Sequence, residues 1–148
     1  MKKRLKIYKF LQWFRELQEE QARVRAHNAS LNLQKLREER EIIEEEFKEC
    51  QSHLQEKQIF TGDELKGWFS YFEVLSEFLE ISDKKIEKQE RALQELTDDL
   101  LKKHLEKRLI ERLYQKSLNA YKEYNLKIEL RTLDDLILLR KGRYLDQN

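Results

Sequence analysis

The chain has 148 residues, 39% of them apolar and 40% charged, with no proline, three glycines and one cysteine. So high a charged fraction excludes a large compact core, and 30 Lys and Arg against 29 Asp and Glu leave a net charge of +1, which excludes a general electrostatic attraction to nucleic acid or anionic lipid. A lone cysteine excludes an internal disulfide and fits a reducing compartment, and no apolar run approaches the ~18 residues that a membrane span needs.

Proline ends helices, and glycine weakens them by about 1 kcal/mol relative to alanine, so a chain nearly free of both is built to be helical along most of its length. Its start, MKKRLKIYKFLQWF, has the basic flank of a signal peptide. Lys6, Lys9 and Gln12 interrupt the apolar part and no small-residue cleavage site follows, so the segment reads as mature sequence of a cytoplasmic protein. The first helix is expected over residues about 4–58. A stripe at Ile7, Phe10, Phe14, Leu17, Gln21 and Val24 opens it, and a second runs through Ala29, Leu33, Leu36, Arg40, Ile43, Phe47, Cys50 and Leu54. Both have the three-and-four spacing of a heptad seam, one residue out of phase with each other, which implies a skip in winding near residues 25–28. The seven glutamates between Arg37 and Glu49 read as a solvated face with i,i+4 pairs.

The main break is Ile59-Phe60-Thr61-Gly62-Asp63. Thr61 followed by Glu64 is a capping box, with Phe60 and Leu65 placed for the accompanying hydrophobic staple, so a second helix is expected to start just after Thr61. Its seam runs from Phe72, Leu75, Leu79, Ser82 and Ile86 to Leu93, Leu96 and Leu100. It meets Lys103 and Lys107, then recovers at Ile110, Tyr114, Tyr121, Tyr124 and Ile128. Gly142, after Arg140 and Lys141, marks the expected helix end. At 1.5 Å per residue the two helical stretches would be about 80 and 115 Å long, a mismatch with two solutions. Either the second helix outruns the first as a single rod, or residues 59–87 form a separate aromatic cap, restarted at Ser82-Asp83, so that 88–141 pairs with helix one and the chain ends meet. The apolar character of residues 65–81 on more than one face favours the cap. The expected fold is therefore all-α, one domain over residues 1–148, an antiparallel two-helix coiled-coil hairpin with a short helical cap segment.

No phosphate-cradling glycine loop, nucleophile elbow or H-E-x-x-H is present, so no catalytic residue, cofactor or small-molecule site is expected. Cys50 and His53, three apart, would supply only two of the three or four ligands of a zinc site; the plainer reading is a seam cysteine and a partly exposed histidine. If the ends meet, Lys2, Lys3, Arg4, Arg140, Lys141 and Arg143 form one basic tip that could bind nucleic acid, a membrane surface or an acidic protein ring. Most N-terminal aromatics lie on the seam stripe rather than free to stack on bases, so nucleic acid is not expected. The densest aromatic group, Trp68, Phe69, Tyr71, Phe72 and Phe78, is either the core of the cap or a docking surface.

Taken together, the Phe/Leu-rich first helix (KFLQWFRELQEEQA), Trp68-x-x-Tyr71 after the break, and the tail Glu111-Arg112-Leu113, Tyr121, Glu129, Leu133-Asp134-Asp135 resemble the FliJ family of the bacterial flagellar type III export apparatus and its injectisome relatives, with Asp135 where Glu is usual. The resemblance implies a non-enzymatic stalk, monomeric when free, whose joined termini enter and activate the hexameric export ATPase. It implies a middle segment that contacts the cytoplasmic part of the export-gate membrane protein, with export chaperones as further partners, and peripheral association with the inner membrane through that apparatus. Placed from Trp68, the gate-contact positions fall on Val74, Phe78, Ile81 and Lys85. The alternatives are a structural coiled-coil dimer or scaffold formed through the same seam, with no ATPase partner, and a nucleic-acid binder using the basic tip.

Overall fold

The computed structural model describes residues 2–56 and 59–146. These form two helices, α1 (Lys2–Glu56) and α2 (Gly62–Asp146), packed antiparallel as an all-α hairpin, with no strand among the described residues. The last two residues of the expected first helix, Lys57 and Gln58, lie outside them. Thr61 and Glu64 close the expected capping box: the Glu64 backbone N–H donates to Thr61 Oγ1 at 3.2 Å and the Thr61 N–H to Glu64 Oε2 at 3.5 Å. Thr61→Ala should cost about 1 kcal/mol, read as a lower midpoint in urea with little change in helical circular dichroism.

The chain clusters into two compact units, Glu20–Leu101 and Met1–Glu19 with Lys102–Asn148. In the first, which contains the turn, Ala22, Ala26, Ala29, Leu33, Cys50 and Leu75 are buried. The alanines leave room for the Gln89 amide to donate to the Ala29 carbonyl at 3.1 Å. Nearer the turn the layers are aromatic: Phe47 meets Phe72 with ring centroids 4.5 Å apart, and His53 stacks on Trp68 at 4.4 Å. Asp83 accepts from Arg40 and Ser82 is buried. The stretch 59–87 is thus no separate cap, because from Gly62 onward it is one helix, α2, paired directly with the end of α1. Ser82-Asp83 starts no helix: no proline or glycine interrupts the chain there, Ser82 is buried, and Asp83 pairs with Arg40 across the seam.

In the second unit Arg15 pairs with Glu106 at 2.7 Å, which sets Lys2 level with roughly residue 119. Beyond that α1 has ended and α2 goes on without it. Residues 126–143 are all exposed, so the single-rod solution is the one realised. Gly142 does not stop the helix. It has no positive φ, and one glycine costs too little to end a helix that the neighbouring residues favour.

Candidate interaction surfaces

The residues that face α2 decide which side chains remain for partners. Along α1 the buried and half-buried positions run Leu5, Tyr8, Gln12, Arg15, Glu19, Ala22, Ala26 and Ala29, then continue in the expected second stripe. That is one unbroken heptad phase with no skip near residues 25–28. The stripe Ile7, Phe10, Phe14, Leu17, Gln21, Val24 was expected in the seam, but it lies on the opposite side of α1 and is exposed, Phe10 to 60% and Ile7 to 57%. The signal was present in the sequence: counting back from Ala29 by threes and fours reaches Ala26 and Ala22, and then Glu19 and Arg15, whose charges made the apolar stripe look the better seam.

Those charges are matched from α2. Glu19, 5% exposed, binds His104 Nδ1 through Oε1 and Lys107 Nζ through Oε2, both at 2.9 Å. Lys103 lies 4.0 Å from Glu106, which also holds Arg15. The hydrogen bond from Lys107 holds the Glu19 carboxyl below its ordinary value of 4.5 against the opposing effect of burial, and the same bond holds Lys107 above 10.5. Lys103 and Lys107, which interrupt the apolar pattern of α2, are therefore half of a cross-helix charge layer.

On the outer side of α2, Val74, Phe78, Ile81 and Lys85 share one face by their four-three-four spacing. All four are exposed, Phe78 to 51%, because Phe72, Leu75, Leu79 and Ser82 occupy the seam. Trp68 and Phe72 are covered by α1, so the aromatic group divides into seam and surface members. A shallow groove of about 260 Å³ beside the turn, lined by Glu46, Glu49, Cys50, His53, Trp68 and Tyr71, is smaller than ordinary ligand pockets. Burial pushes the Cys50 thiol up, which makes it an inert seam residue. Among the described residues no group of three or more His, Cys, Asp or Glu is placed to hold a metal ion, and no helix is long and apolar enough to cross a membrane.

Lys2, Lys3, Arg4, Arg140, Lys141 and Arg143 are all exposed, and no ion pair engages any of them among the described residues. They do not form one tip. The register places the first three level with residues near 119, and the second three about 30 Å further along α2, because α2 outruns α1. The extension between them carries Leu126, Leu130, Leu133, Leu136, Ile137 and Leu138, the last 65% exposed.

No protein-family model matches this chain, and no curated protein or solved structure matches it either.

Proposed function

We propose that this protein is a non-enzymatic stalk of the type III protein export apparatus, similar in role to the flagellar FliJ family. It binds and activates the export ATPase ring and links that ring to the cytoplasmic part of the export gate, with export chaperones as additional partners. On this reading it works in the cytoplasm, held at the inner membrane through its partners. The observation that carries the reading is the single-helix extension of α2, bracketed by two cationic triplets, at the opposite end of α2 from the turn. A thin projecting helix with exposed leucines, and with cations that pair with none of the described residues, suits the central opening of a ring lined by carboxylates. The stripe Val74, Phe78, Ile81 and Lys85 is the gate-facing surface. A scaffold dimer formed through the seam is disfavoured, because each chain already fills that seam with its own second helix.

The test is phosphate release by the export ATPase at low salt, with the full chain added. Arg4→Glu combined with Arg140→Glu and Arg143→Glu should abolish stimulation while the helical circular dichroism stays unchanged, since the three side chains lie outside the seam. Stimulation that survives the reversal overturns the proposal.

A further inference from the structure

The extension of α2 is an unsatisfied structure. An isolated helix of this length is marginal in water, and most helical stability comes from covering an apolar face. Leu126, Leu130, Leu133 and Ile137 form such a face by their four-three-four spacing, and each is 45% or more exposed. The outer side of α1 carries the complement: Ile7, Phe10, Phe14 and Leu17 have the same heptad spacing over nearly the same length, and they too are uncovered. The two faces cannot meet within one chain, because the extension points away from α1 beyond the level of Lys2.

We propose that this end of the molecule is a self-association surface, in which the α2 extension of each of two chains lies along the outer face of the other chain's α1. A closed pair with both extensions covered needs the two copies inverted about a two-fold axis across the helices. The extension then runs parallel to the α1 it covers. Leu130, Leu133 and Ile137 fall opposite Ile7, Phe10 and Phe14, and Leu17 packs on the aliphatic stem of Arg140. In this register Lys6 flanks Asp134, an opposite-charge pair, and the Trp13 ring flanks Lys141, a cation–π pair. The antiparallel direction that sets Phe10, Phe14 and Leu17 against Ile137, Leu133 and Leu130 brings Arg4 and Lys6 against Lys141 and Arg143. It would also join copies head to tail without closing. This interface differs from a seam dimer, departs from the free monomer that the family resemblance implies, and does not rest on the export reading, in which the pair would have to part before an extension entered the ring.

Sedimentation equilibrium of the full chain by itself tests the proposal, and its outcome is independent of any ATPase. A concentration-dependent monomer–dimer equilibrium is expected. Phe10→Lys or Leu133→Lys should weaken it by about tenfold or more with the helical signal retained, because neither residue touches the seam. Register is read by disulfide trapping in a Cys50→Ser background. Chains carrying Phe10→Cys mixed with chains carrying Leu133→Cys should cross-link faster than either alone. A monomer at every concentration, a dimer indifferent to both lysine substitutions, or Leu133→Cys chains that cross-link to one another as fast as the mixture would each overturn it.

Discussion

Glu19→Ala is expected to destabilise the hairpin by about 1–3 kcal/mol, because it strips the partner from Lys107 and His104 at a point where water cannot fully replace it. Glu19 sits where a leucine would pack, so the layer exists at a cost in desolvation, and its benefit is the choice of register. A slip of α2 by one heptad would face Glu19 with Leu100 or Tyr114 instead of Lys107. The pH dependence follows from the two displaced ionisations. Glu19 is held below its ordinary value, so its contribution is full above about pH 4.5 and is lost as pH falls through the lower folded-state value. Lys107 is held above its ordinary value, so its contribution is full below about pH 10.5 and is lost as pH rises through the higher folded-state value. Thermal melts should show a plateau between those limits, and Glu19→Gln should flatten the acid limb. A wild-type melting point unchanged from pH 7 to pH 2.5 would contradict the assignment.

Leu75→Ala should cost about 2–3 kcal/mol, at the lower end of the range for buried leucines, since Leu75 is 3% exposed but a two-helix seam has only one partner side to leave empty. Phe78→Ala, three residues further and 51% exposed, should stay within about 0.5 kcal/mol of the parent. The functional consequences should run the other way. On the proposed export reading, Phe78→Ala with Lys85→Ala should weaken binding to the export gate while leaving ATPase stimulation intact, whereas Leu75→Ala should reduce both only in proportion to unfolding. Urea denaturation and gate binding measured on the same preparations separate the two. If Phe78→Ala destabilised as much as Leu75→Ala, Phe78 would be a packing residue and the outer stripe would not be a free surface.

The amino-acid sequence by itself determined the helical character of the chain, the place of the turn and most of the seam. Without proline, and with glycine at only three positions, nothing local competes with helix, and Thr61-x-x-Glu64 supplies the one strong start signal. From Ala29 to Leu54 and from Phe72 to Tyr121 the three-and-four pattern names the residues found facing the other helix. Where a segment has a single apolar stripe, periodicity identifies the buried side, because only one side can repay its burial. The first half of α1 has two candidate sides, an apolar one at Ile7, Phe10, Phe14 and Leu17 and a charged one at Arg15 and Glu19, and local hydrophobicity points to the wrong one. Only pairing with α2 decided it. The helix enters that region with its phase already set by Ala22, Ala26 and Ala29, and Glu106 and Lys107 arrive opposite to neutralise what would otherwise be costly charges. The fate of the chain ends was a tertiary matter for the same reason. Whether residues 62–87 stood apart or paired with α1 depended on contacts such as Phe47 with Phe72 and Arg40 with Asp83, separated by 25 and 43 positions, and that pairing leaves the last part of α2 without a partner in its own chain.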